Sequence, residues 1–240
     1  MIKTNIKIAI SKENLLSILS SLDISVPPIG MRRPKAHVER WSICKLLSTL
    51  ANQNQLTYPL QLIHDDRPDF LIKFTSEQVG IEFTEARNCN QAHYEAILNR
   101  EFPEKIYSLS LFQLGKPEMS TEDIRAHLKQ DLLFGPPLMG DKPERDWAEY
   151  IKGTIQAKLL GLAKPGFKKF DKNWLLIYVA IPFTNVDIDV ALTYLEPCLP
   201  NIFANIVTFD TIYIEHINHI IKICPSELKK MEINEIWLSA

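Results

Sequence analysis

Residues 173–183 read NWLLIYVAIPF, a run almost unbroken by polar side chains. A strand that is apolar on both alternating faces is expected at the centre of a sheet covered on both sides, and the segments around it fit that demand. NIKIAI (5–10) alternates like a short strand. KENLLSILSSL (12–22) has helical spacing with Ser11 as cap. SVPPIGMRRP (25–34) is a loop, because three prolines and a glycine forbid regular structure. Residues 35–52 form a helix with Val38, Trp41, Leu46 and Leu50 on one stripe. YPLQLIHDDRPDFLIKF gives a loop and then a strand, and QVGIEFTEA a second strand. Helices are expected at 90–102, 121–133 and 148–164. A helix broken at Pro197 follows the central run, then a strand at 209–217 and a last one at 232–239. This order predicts an α/β protein with a mixed central sheet flanked by helices.

The 240 residues suit a single domain with one core. A net charge of −2 makes the whole chain no electrostatic magnet for nucleic acid, so any such binding must come from a local basic patch. The four cysteines, Cys44, Cys89, Cys198 and Cys224, are far apart and form no CxxC pair. Reduced, mostly buried thiols in a cytoplasmic protein are the expectation. No signal peptide and no apolar run of membrane-spanning length is found, so no membrane partner is expected.

The stretch RPDFLIKFTSEQVGIEFTEA (67–86) places acids on two strands otherwise built for burial. In a hairpin of 69–74 with 79–84, Phe70, Ile72 and Phe74 share a face with Val79, Ile81 and Phe83. Asp69, Leu71 and Lys73 take the other face with Gly80, Glu82 and Thr84. A turn at TSEQ (75–78) sets Asp69 opposite Thr84 and diagonal to Glu82, about 7–8 Å apart, with Lys73 across from Gly80. Two carboxylates so spaced can both reach one hard cation, which binds oxygen at about 2.0–2.1 Å. Without a cation they repel, and one is pushed towards protonation. The expected cofactor is Mg²⁺ or Mn²⁺, held by Asp69 and Glu82.

With Pro68-Asp69 followed by Glu82-Phe83-Thr84, the chain resembles the PD-(D/E)XK nuclease superfamily, whose fold is restriction-endonuclease-like. The preceding helix carries an acid, Glu39, and helix, strand, helix and strand follow, as in that family. The resemblance covers about 35–217. It makes 1–34 an N-terminal extension and about 103–147 an insertion within one domain, 1–240. Gln91-Ala92-His93-Tyr94 stands where the exonuclease-like branch carries Gln-x-x-Tyr. The resemblance implies a hydrolase, an endo- or exodeoxyribonuclease cutting phosphodiester bonds in DNA. Asp69, Glu82 and Glu39 would be metal ligands, and Gln91 and Tyr94 would position the strand or a water. The family lysine is replaced by Thr84, which supplies no positive charge to the reacting phosphate. Lys73 and Lys158 are the candidates to supply it. If neither does, the chain is a catalytically inactive nuclease-fold module that binds nucleic acid or a protein partner.

Bland readings stand beside these. Asp69 can simply start a strand out of a turn, Glu82 can line a solvated face, and Glu39 can be a helix-surface acid. Arg32, Arg33 and Lys35 enter the Glu39 helix, and residues 148–170 hold Lys152, Lys158, Lys164, Lys168 and Lys169 against Glu149 alone. Such clusters track a phosphate backbone or merely solvate a helix and loop. Arg32, Arg33, Lys168 and Lys169 are the expected substrate contacts. His64-Asp65-Asp66 is an acidic loop or a further ligand source. His216-x-x-His219 with Cys224 hints at zinc but lacks a fourth ligand. No Ser/His/Asp or Cys/His arrangement and no GxxxxGK[ST] loop stands out. A homodimer is compatible with all of this.

Overall fold

After the first strand, β1 (Ile6–Ala9), Ser11 caps the first helix, α1 (Lys12–Ser20): its hydroxyl accepts from the amide of Asn14, one of the helix's unpaired donors. The second helix, α2 (Lys35–Asn52), begins after Pro34, which has no side chain to cap it. Then come β2 (Leu60–His64), β3 (Phe70–Lys73), β4 (Gln78–Ala86), α3 (Cys89–Glu101), α4 (Thr121–Leu128), α5 (Lys142–Leu162) and β5 (Lys172–Val179). The chain continues through α6 (Ile188–Leu195), one 3-10 turn, α7 (Leu199–Phe203), β6 (Thr211–His216), β7 (His219–Cys224) and β8 (Glu227–Glu232). The computed structural model describes residues 4–27, 34–107, 111–112, 117–130, 139–164, 166–180 and 186–237, and of Cys89 the backbone. Arg32, Arg33 and the 181–183 end of the apolar run lie outside the described residues.

The eight strands form one sheet in sequence order, β1 to β8. Pairing is antiparallel from β1 to β4, parallel between β5 and β6, and antiparallel again from β6 to β8. The protein is therefore α/β, with a mixed sheet flanked by helices. Among the described residues no helix is long and apolar enough to cross a membrane.

Several expectations are corrected. Residues 60–64, expected as loop, are β2, because LQLIH alternates buried and half-buried positions beside β3. Helix α5 starts at Lys142 rather than 148, since Pro143 sits in its first turn, where the missing N–H is no loss. The last strand ends at Glu232. Beyond it, the segment 233–237 leaves the sheet and binds helix α2: Asn234 N donates to Thr49 Oγ1 at 3.1 Å and Lys45 pairs with Glu235 at 2.5 Å. That cover explains why α2 has no solvent stripe, with every residue from Ser42 to Ala51 buried. Of the described thiols only Cys44 is buried, its pKa pushed up to about 12 by that burial, while Cys198 and Cys224 are half-buried.

The described chain forms two compact units. The first comprises 1–85, 158–179 and 201–240 and holds the sheet. Its core joins Leu15 and Leu19 of α1 and Ile43, Leu46 and Leu50 of α2 to Phe70, Ile72, Val79, Ile81 and Phe83 of the hairpin. The second comprises 86–157 and 180–200. In it Tyr94, Ile97, Leu98, Ile124 and Leu128 form a cluster of their own.

Candidate active site

The hairpin pairs Phe70 with Ile81, Leu71 with Gly80, Ile72 with Val79 and Lys73 with Gln78. The turn is one residue earlier than expected, at 74–77, where the Phe74 amide bonds the Glu77 carbonyl at 2.9 Å. This register keeps the parity that buries the aromatic and aliphatic face, so both acids stay on one side. It changes their partner. Continued by one residue, it sets Asp69 opposite Glu82 rather than Thr84, with β-carbons about 5 Å apart. Asp69 Oδ2 is tied to the same strand, accepting from the Phe83 amide at 2.7 Å.

Glu39 reaches this corner from α2. A single ammonium, Lys35 Nζ, lies 2.6 Å from Glu39 Oε1 and 2.9 Å from Asp69 Oδ1. Lys35 and Glu39 are four residues apart, one turn along the same helix face. The other oxygen of Glu39, Oε2, is 3.2 Å from Nε2 of buried His64. The Thr4 amide donates to His64 Nδ1 at 3.1 Å. An amide can only donate, so Nδ1 is the acceptor and the proton of the neutral ring sits on Nε2, where it is given to Glu39. Burial opposes ionisation of Glu39, yet His64 and Lys35 outweigh it and its pKa falls below the usual carboxylate value. Lys35 is desolvated too, but the two carboxylates raise its pKa and keep it charged.

Glu82 is met from α5. Lys158 Nζ lies 3.3 Å from Glu82 Oε2. Burial, then the charge of Asp69, raises the Glu82 pKa, and Lys158 offsets only part of this. Three acids from three elements thus share one corner with two lysines, all within the first unit.

Lys73 is opposite Gln78, not Gly80, at the far end of β3. Four residues of strand put it about 13 Å from Asp69. The space over Gly80 is taken by Phe170, whose Cδ2 would stand 2.6 Å from a β-carbon there. Thr84 is half-buried on β4, past the last β3 pair. Lys168 and Lys169 are exposed on the loop after α5, Lys168 over the Phe170 ring at 5.0 Å. Gln91 and Tyr94 belong to the second unit. Gln91 donates to Glu95 at 3.0 Å. Tyr94 is fully buried against Tyr107 and Phe112, its hydroxyl 3.2 Å from His127 Nδ1. Its ring belongs to the second unit's own apolar cluster. The zinc hint also fails: His216 faces His219 across the β6–β7 turn, and Cys224 lies five residues along β7, about 16 Å away.

The sequence placed Lys35 in a basic cluster at the start of the Glu39 helix and His64 in an acidic loop or further ligand source, and paired neither with Glu39. Lys35 had a signal, its four-residue spacing from Glu39. His64 had none that could name its partners, because its tautomer is set by the Thr4 amide, sixty residues away.

The donor set suits a hard divalent cation: carboxylate oxygens, with no sulfur and no imidazole directed at them without a proton. Among the described residues no three His, Cys, Asp or Glu side chains are grouped to hold one ion together. Mg²⁺ ordinarily takes one or two carboxylates and completes its shell with water and phosphate, so the residues present fit such an ion in pairs. Comparison with known proteins finds no matching family model, no matching curated protein and no matching solved structure.

Proposed function

We propose that this chain is a divalent-metal-dependent nuclease with a restriction-endonuclease-like fold, hydrolysing phosphodiester bonds in DNA. One observation carries it: Glu39, Asp69 and Glu82 converge from α2, the start of β3 and β4, and Lys158 arrives at Glu82 from α5. The lysine missing at Thr84 thus has a stand-in from another element. The antiparallel run β2–β3–β4 after α2, and the parallel pair β5–β6, support the fold assignment.

A bound Mg²⁺ or Mn²⁺ would polarise the phosphodiester and acidify a water. The chain's own residues do the rest. Asp69 and Glu39 would hold the ion through the oxygens that face Lys35, with Glu82 across the hairpin from Asp69 as a further ligand, Asp69 kept in place by the Phe83 amide and Glu39 by His64. Lys158 offers its ammonium to the charge that develops on phosphorus-bound oxygen. Lys168 and Lys169, both exposed, meet the DNA backbone. In this assignment the protein works in the cytoplasm, alone or as a homodimer.

A second function, an inactive module that binds nucleic acid or a protein, is favoured by Thr84 and by the ammonium of Lys35 already seated between two of the acids. Plasmid and single-stranded DNA with Mg²⁺ or Mn²⁺ separate the two. Cutting by the wild type, reduced at least ~100-fold in Asp69→Ala and in Glu82→Ala, is the expected result. Salt-sensitive binding without cutting supports the module, and equal cutting by both variants removes the site assignment.

A further inference from the structure

Each of the two carboxylates nearest α2 is divided in its duties. Glu39 gives Oε2 to His64 Nε2–H and Oε1 to Lys35; Asp69 gives Oδ2 to the Phe83 amide and Oδ1 to the same Lys35. The His64 and Phe83 donors are buried and fixed by other interactions, the ring by the Thr4 amide and by Phe70 at 4.5 Å between centroids, the amide by its place on β4. The Lys35 side chain is 61% exposed and enters from the first turn of α2. Of the two donors on each acid, one is therefore part of the frame and the other is a movable arm. The oxygens turned towards the arm are the pair a metal ion would use.

We infer that Lys35 is the resting cation of this site, an ammonium that holds Glu39 and Asp69 together until a divalent ion displaces it. The inference rests on the metal site proposed above. An ammonium sits 2.6 and 2.9 Å from the two oxygens, whereas Mg²⁺ sits at about 2.0–2.1 Å from its ligands. Both cations need the same lone pairs, and their like charges forbid joint occupancy at such range. Occupancy is exclusive, so Lys35 lowers the apparent affinity for metal and swings into solvent when metal binds. Lys158 does not share this role, because its ammonium meets Glu82, at 3.3 Å, and not the Lys35-bound oxygens.

Calorimetric titration of the full chain with Mn²⁺ tests this, using wild type, Lys35→Gln, Lys35→Ala, Lys158→Gln and Asp69→Asn, each checked for folding by circular dichroism. Lys35→Gln and Lys35→Ala are expected to bind Mn²⁺ at least ~10-fold more tightly than wild type. Lys158→Gln is expected to gain less, and Asp69→Asn to lose binding. Binding seen only after Lys35 is replaced also supports the inference. If wild type binds in an Asp69-dependent way and the Lys35 variants bind no tighter, or no tighter than Lys158→Gln, the displacement role is overturned while the metal site stands. If no variant shows Asp69-dependent binding, the metal site falls and the displacement role with it.

Discussion

Glu215 on β6 is only 2% exposed and faces Trp41, whose indole N–H donates to Oε1 at 2.7 Å. Burial raises its pKa, and Ser42, Lys45 and Trp41 reverse only part of this. A raised folded-state value means that the unfolded chain releases the proton first as pH climbs. Stability is therefore unaffected by this group below the ordinary glutamate range, and is lost above it until the folded acid also ionises. Glu215→Gln keeps an acceptor for Trp41 and cannot ionise. Urea denaturation should find the variant equal to wild type near pH 4 and more stable at pH 8, by about 1.4 kcal/mol for each pH unit between the two pKa values. A variant less stable than wild type at pH 8 would show that the carboxylate is ionised and paired. At His64 the tautomer is set by the backbone amide of Thr4, and nothing in HDDRPD foretells it.

The β3–β4 ribbon shows how an element can be legible in parity and illegible in register. Alternation of Phe70, Ile72, Val79, Ile81 and Phe83 fixes which side is core. Turn length fixes the partner of Asp69, and the turn comes one residue early because Phe74 closes it with Glu77. Gly80 is needed for what lies over it: Phe170, and Pro68, whose Cγ would be 3.3 Å from an added β-carbon. Gly80→Ala should cost about 1–3 kcal/mol through overpacking. In a Phe170→Ala background the same change should cost clearly less, a coupling read by a double-mutant cycle of denaturation midpoints. Additive costs would mean that the ring moves away freely. Helix α2 makes the complementary point. Its stripe of Val38, Trp41, Leu46 and Leu50 is readable, but burial of Lys45, Ser48 and Thr49 follows from the 233–237 segment, which periodicity assigns to a strand.

At the scale of the molecule, a net charge of −2 means that the proposed DNA binding must come from local clusters. Replacing Lys168 and Lys169 with Gln should lower the slope of log K against log salt by about 1 for each phosphate that is no longer neutralised. Fluorescence anisotropy at several salt concentrations measures it. An unchanged slope would remove Lys168 and Lys169 from the proposed DNA contacts. Such a change should leave Mn²⁺ binding untouched, because the ammonium groups that meet Glu39, Asp69 and Glu82 are those of Lys35 and Lys158.

By itself, the sequence determined the α/β class, the buried central run and the common face of Asp69 and Glu82, because each is a matter of short-range periodicity that burial enforces. Only the tertiary structure decided which cations meet those acids. Lys35 and Lys158 reach them from helices far apart in the chain, and an ammonium finds its carboxylate through the packing of whole elements, for which no local spacing carries a record.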